Sequence, residues 1–382
     1  MEFIYKLLDD IRSEFYNIFH DGGATLLLVV ALPLYTIIYS TAYGSEVVRD
    51  VPIAVVDEDH STSSRALIKG LMSGPNTTLS YEPSNLADAQ RLFFANKAFG
   101  IVYIPNGFER DLLSGAQADI GVILDGSHLL LYRQVLKRVA TDALTRGAHV
   151  ELMRLTELGT EPQVAHSVVE PLSLDVHYAY NRALGYGSFV MPSVMIVIVQ
   201  QTLIIGLSMI AARRRQRGLS VEPLTPICML SKILVYTLIY GANLTILLSV
   251  LWPAFGFPFN DNIVNVVLFL LLYVVASLSL GIAVAQLFKR REAPLLLLLG
   301  TSVPILLLAG VSYPREAYPE WIYIAGRIFP SSSGVDGFIA LASRGATLGE
   351  VSTELATLAI LTIIYTTLAF AINKSLLERR KF

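Results

Sequence analysis

Asp57, Glu58, Asp59 and His60 stand side by side in DEDHSTSS, with four hydroxyl residues behind them. Such a cluster invites a metal or acid–base reading. A metal or catalytic centre, however, is assembled from ligands brought together by distant elements. Consecutive acids between an apolar run and a helix-like pattern instead suit a solvated turn and a helix N-terminus, where negative charge is favourable. The six histidines show neither HxxxH nor HxH spacing, no GxSxG occurs, and Cys228 is the single cysteine. No phosphate-cradling GxxxxGK[ST] loop is present either. Nothing here nominates an enzyme or a resident cofactor or metal, and the formal charge of −2 gives no hint of nucleic acid.

Two other groups could serve binding or transport. Gln200, Gln201, Asn243 and Gln286 are the more polar members of strongly apolar stretches. Each amide either bonds a neighbouring helix or lines a substrate pathway. The same stretches carry no Asp, Glu, Lys or Arg, which argues against a proton relay. If the chain moves something, a partner must supply the energy. Between two of the stretches lies a basic segment with Arg213, Arg214, Arg215, Arg217, Gly218, Glu222 and Lys232. A short helix there could be gripped by a soluble subunit. The plainer reading is a topology determinant that pairs with anionic lipid.

The elements that must position these residues follow from composition. Of 382 residues, 53% are hydrophobic and 16% charged, against about 25% charged in soluble domains; mean hydropathy is +0.55. Such a chain needs a bilayer as solvent. Six stretches have the roughly 20 apolar residues of a span: Ala24 to Tyr43, Leu184 to Ala212, Ile233 to Trp252, Ile263 to Phe288, Pro294 to Val311 and Leu355 to Ile372. Basic residues at Lys6 and Arg12, Arg213 to Lys232, Lys289 to Arg291 and Arg379 to Lys381 fall on one side if there are six spans. That side is cytoplasmic by the positive-inside rule, so both termini are expected inside and residues 44–182 outside. Residues 1–23, with Ile4, Leu7, Leu8, Ile11, Phe15, Ile18 and Phe19 at helical spacing, read as an amphipathic helix on the inner face rather than a cleaved signal. Residues 24–43 are the first span and 183–382 carry five more. Between the first two, VPIAVVD, TTLSYE, FGIVYIP and ADIGVILDG read as strands alternating with capped helices, an α/β layer domain.

GVSYPREAYPEWIYIAGRIFPSSSG follows the fifth span. Gly310 ends that span, Pro314 and Pro319 prevent a continuous helix, and Pro319 to Trp321 suit the first turn of a new one. Pro330 stops it, SSSG turns the chain, and VDGFIALASRG forms a second short helix ending at Gly345. Each piece is too short to span. Residues 310–345 therefore read as a re-entrant or interfacial hairpin at the outer face, with Trp321 and the tyrosines at headgroup depth.

Six spans, a large outer domain after the first, and a proline-bounded hairpin before the last resemble the type-2 ABC exporter permeases. The likeness runs over essentially the whole chain. It is carried by AGVSYPREAYPEWIYIAGRIFPSS, by SRGATLGEV and by DVPIAVVDEDHSTSSRAL. It implies a bacterial inner-membrane permease subunit that dimerises with a second copy or close relative. It also implies a separate ATPase, which would hold the ATP and Mg, and a periplasmic adaptor protein that meets the outer domain. Arg217 and Gly218 match the family's Arg-Gly before its coupling helix, while Gln216 and Leu219 replace its flanking Glu and Thr. On that reading residues 213–232 couple to the ATPase, and Gly310, Pro314, Pro319, Trp321 and Pro330 shape an outer gate. The alternative is a non-transporting receptor or envelope scaffold of the same architecture.

Overall fold

The computed structural model describes residues 2–172, 174–181, 184–218, 223–260 and 262–379. They divide into two units, residues 47–177 and residues 1–46 with 178–382.

Residues 47–177 carry a four-stranded mixed sheet in the order β2-β1-β3-β4. β1 is Val51–Asp57, β2 Thr77–Tyr81, β3 Gly100–Ile104 and β4 Gly121–Leu124. β1 runs parallel to β2 and β3, with Val51 opposite Thr77 and Ala54 opposite Ile101; β4 is antiparallel to β3. Alternate residues of β1 face opposite ways. Val51, Ile53 and Val55 meet Leu67, Leu71, Val135 and Val139, whereas Ala54 and Val56 meet Ala89 and Ala98. Helices therefore cover both faces, as a buried parallel core requires. Ser61 caps Thr62–Met72 and Asn85 caps Leu86–Phe94, each accepting the backbone N–H of the third helical residue, Ser64 and Asp88. The short helices Phe108–Ser114 and Pro162–Val169 and a 29-residue helix, Leu129–Glu157, complete the unit.

In the other unit, α1 is Glu2–Phe19, and among the described residues five helices are long and apolar enough to cross a bilayer. They are α2 Gly22–Ala42, α3 Tyr186–Gln216, α4 Pro226–Ala254, α5 Ile263–Ala285 and α8 Ser352–Glu378. Between the last two lie α6, Ala293–Leu308, and α7, Glu320–Arg327. α6 has 16 residues, giving about 24 Å at the helical rise, shorter than a typical hydrocarbon core of about 30 Å. Most of α3 is buried among its neighbours, which makes it the axis of this unit. The core runs through Leu28, Met195, Tyr236, Phe269, Tyr273 and Phe338.

Two boundaries differ from the sequence expectation. α4 starts at Pro226, with Thr225 accepting the Cys228 N–H, so Lys232 belongs to a span-length helix. The expected separate coupling helix is absent among the described residues; Glu222 lies outside them. In residues 310–345, expected to form a hairpin, SSSG does not turn. Pro330 opens the helix Pro330–Phe338, which continues as a wide π turn, Ile339–Ser343. Pro is pre-organised for a first helical position and lacks only an N–H that would be unpaired there, so the residue expected to stop one helix also starts the next.

Candidate functional site

The basic segment is built around a carboxylate that sequence reading passed over. Asp21 ends α1's connection and caps α2, its Oδ1 accepting the Gly23 and Ala24 N–H groups at 3.1 Å. The same carboxylate is almost fully buried and meets Arg213 Nη1 at 2.8 Å and Arg291 Nη2 at 2.6 Å. Burial pushes its pKa upward, but the Ala24 N–H and the two guanidinium groups outweigh that and hold it below the usual carboxylate value. A sequence signal existed: Asp directly before Gly22-Gly23 and an apolar run is an N-cap pattern.

Glu14 performs a second junction. It is buried on the inner face of α1 and accepts hydrogen bonds from Lys232 Nζ at 2.7 Å and Tyr236 OH at 2.9 Å. Glu14 thus ties α1 to α4, and Asp21 ties the junction that follows α1 to α3 and Arg291, while Ile4, Tyr5, Leu8, Tyr16 and Phe19 of α1 stay exposed. That exposed apolar stripe fits a helix lying at an interface.

The predicted coupling residues separate by role. Arg213 serves Asp21, and also reaches the His20 carbonyl. Arg215 Nη1 donates to the Gln286 and Phe288 carbonyls at 2.6 and 2.7 Å, satisfying groups at the open end of α5. Arg214 and Arg215 line a cavity of about 90 Å³ with Glu14, Lys232, Gln286 and Asn373. Arg217 and Gly218 are exposed at the end of α3, and Gly218 has a positive φ of 73°, as a glycine following a helix commonly does.

Three of the four intramembrane amides bond their neighbours. Asn243 Nδ2 donates to the Leu28 carbonyl at 3.0 Å, inside the π segment Leu26–Val30 of α2, where the altered ladder frees carbonyl groups. Gln286 Nε2 donates to the Ala369 carbonyl at 2.7 Å. Gln200 Oε1 accepts the Ser331 N–H at 2.8 Å. Gln201 is buried, and neither of its polar side-chain atoms has a partner among the described residues.

In residues 310–345, Gly310 takes a left-handed φ of 80° after α6. Arg315 lies beneath it, 6% exposed, donating to the Ser332 carbonyl at 2.8 Å and to Asp336 at 2.5 Å. Tyr323 lies beneath both Arg315 and Arg327, 5.3 and 5.4 Å from its ring centre. Pro314 opens a short 3₁₀ turn at Arg315–Ala317 and Pro319 precedes α7. Trp321 is 71% exposed, so it can reach a surrounding medium. Arg315 and Asp336 were not anticipated; nothing in their spacing marks them as a pair.

The DEDH cluster is structural in its contacts. Asp59 accepts the Gly107 and Glu109 N–H groups at 2.8 and 3.0 Å, while Glu109 accepts the Ser63 N–H and hydroxyl. Two βα turns are thereby stitched together. Among the described residues no group of His, Cys, Asp and Glu is arranged to hold a metal ion.

Residues 24–371 match the family model described as ABC-2 family transporter protein. The chain is 26% identical to the inner membrane transport permease YhhJ of Escherichia coli (strain K12) over 344 residues, covering 85% of this chain and 86% of that one. It is 23% identical to the probable multidrug ABC transporter permease YbhR of the same organism, covering 83% and 84%. ABC transporter G family member 23 of Dictyostelium discoideum is 21% identical over 87% of this chain and 46% of that protein. The chain belongs to the ABC-2 family of transporter proteins and is the membrane subunit of an ABC transporter.

Proposed function

We propose that this permease serves an ATP-driven exporter, threading the bilayer six times with both termini in the cytoplasm. One observation carries the orientation. Asp21 gathers Arg213 and Arg291, so the ends of α1, α3 and the α5–α6 connection share one side of the unit. That side concentrates Arg213–Arg215, Arg217 and Lys289–Arg291, and positive charge selects the cytoplasm. α6 is then the fifth span, crossing a locally thinned bilayer, and residues 47–177 stand outside.

A separate ATPase, holding ATP and Mg, would act on α1 and the segment 213–232, with Arg217, Gly218 and Glu222 nearest to it. Arg213, Arg214 and Arg215 would carry the movement inward. The hairpin of residues 310–345, with Gly310, Pro314, Pro319, Trp321 and Pro330, would be re-entrant and seal the outer exit. Two copies, or this chain and a close relative, would enclose the path, and the outer unit would meet a periplasmic adaptor. YbhR is described as a probable multidrug permease, and apolar spans with scattered amides suit an amphiphilic cargo.

Purification in mild detergent tests the reading: an ATPase retained in stoichiometric amount is expected. Gly218→Trp and Glu222→Lys should preserve ATP hydrolysis while abolishing export. Unchanged export by both variants would remove the segment from the coupling path.

A further inference from the structure

We infer that Asp21 is the positioning residue that carries nucleotide-driven movement of α1 to the α5–α6 connection. The inference rests on the proposed grip of the ATPase on α1.

A lever transmits a displacement only where its attachments are stiffer than the force applied. α1 has two such attachments, and both are charged groups withdrawn from water. Glu14 joins it to α4 through Lys232 and Tyr236. Asp21 joins it to three places at once: the first turn of α2, the last turn of α3 through Arg213, and the start of α6 through Arg291. The Asp21 carboxylate is 1% exposed, so separating it from its partners leaves an unpaired buried charge, a costly state.

The geometry also distinguishes the arms. Asp21 Oδ1 is shared between the α2 cap and Arg291, whereas Oδ2 faces Arg213. Gly23 permits the crowding: a Cβ there would stand 3.1 Å from the Arg291 guanidinium and 2.8 Å from Met209. Removing Arg291 should therefore uncouple the start of α6 from Asp21, while the α2 cap, the Arg213 arm and the Arg215 bonds to the Gln286 and Phe288 carbonyls remain.

The test uses the full chain with its copurified ATPase in inside-out vesicles, on a Cys228→Ala background. Asp9→Cys reports α1 and Arg290→Cys reports the α5–α6 connection; both native residues are exposed. Alkylation by a membrane-impermeant maleimide is timed without nucleotide and after trapping with ATP and vanadate. Trapping is expected to change both rates in the parent. Arg291→Gln and Asp21→Asn should each keep the change at position 9 and abolish it at position 290, with Asp21→Glu partly restoring it. Arg291→Gln is the milder variant, since its native side chain is 38% exposed. A parent whose position 9 ignores trapping overturns the ATPase grip itself. A position 9 that responds, with position 290 still responding in Arg291→Gln, overturns the role of Asp21 and leaves the grip standing.

Discussion

The side-chain carbonyl of Gln200, in the middle of α3, caps the helix Pro330–Phe338 by accepting the Ser331 N–H at 2.8 Å. The helix has no capping side chain of its own, because Phe329 occupies the N-cap position. A distant amide replaces the local Ser, Thr or Asn. Gln200→Leu removes that acceptor and should lower stability by about 1–2 kcal/mol, the usual cost of a lost cap. Gln201→Leu, one residue on, removes an amide with no partner among the described residues and should be neutral or stabilising. Thermal unfolding of the two detergent-purified variants separates them. A Gln201→Leu protein of native stability that no longer exports would place Gln201 on the cargo path.

The same helix approaches its neighbours closely. A Cβ on Gly337 would collide with the ring of Phe269, and one on Gly334 would stand 2.6 Å from Tyr273. Phe269 and Tyr273 are both fully buried, so neither ring has free space to enter. Gly337→Ala should cost about 1–3 kcal/mol through overpacking, despite alanine's better helix propensity. A Tm equal to or above that of the parent would refute this packing.

Much of residues 47–177 was legible in the sequence. All four strands and the Ser61 and Asn85 caps follow from local patterns, since short apolar runs and N-cap side-chain oxygens act over a few residues. Five of the six expected spans were legible by length, whereas the stretch from Pro294 to Val311 holds a helix of only 16 residues, and helix ends were not legible. Arg213–Arg215 continue α3 because a helix loses nothing by emerging into water with basic residues at its negative end. The polar contacts were the least legible. Asp21 and Arg291 stand 270 positions apart, and Glu14 and Lys232 stand 218 apart. No periodicity links such residues; tertiary packing alone brings them together. The four amides showed the converse: their polarity was evident, but three partners are backbone groups that sequence does not distinguish.

Asp59 gives a pH dependence with a defined sign. The Ser61 hydroxyl and the N–H groups of Gly107 to Glu109 hold its carboxyl below its ordinary value of 3.8. A group depressed in the fold adds stability above its unfolded pKa, and the contribution is lost as pH falls through the lowered folded value. Hydrogen exchange in Phe108–Ser114 should be faster in Asp59→Asn than in the parent at pH 7. That difference should shrink as the medium is acidified below about 3.8. Equal exchange at pH 7 would show that the stitch between the two turns contributes nothing.

Helix α6 decides the number of crossings. Arg290 and Tyr313 bracket it, and both are exposed. On the six-span reading, an impermeant thiol reagent should label Arg290→Cys from the cytoplasm and Tyr313→Cys from outside, on a Cys228→Ala background. Leu158→Cys, in the sheet-bearing unit, should label from outside and Gly218→Cys from inside. Labelling of positions 290 and 313 from one side only would make α6 re-entrant and leave an odd number of spans.

The Glu14–Lys232 pair distinguishes a structural ion pair from a charge that is merely tolerated. Glu14 is 7% and Lys232 16% exposed at the side chain, 2.7 Å apart, and Tyr236 donates to the other Glu14 oxygen. Lys232→Met strands a buried carboxylate and should cost about 3–5 kcal/mol, whereas Glu14→Leu with Lys232→Met removes both charges and should recover much of that loss. Tyr236 then loses its acceptor, so recovery should be incomplete; adding Tyr236→Phe should restore more. Unfolding of the single, double and triple variants measures each step. A double variant as unstable as Lys232→Met would mean that the carboxylate is not what the lysine compensates, and that α1 is held to α4 chiefly by Ile11, Phe15 and Ile18.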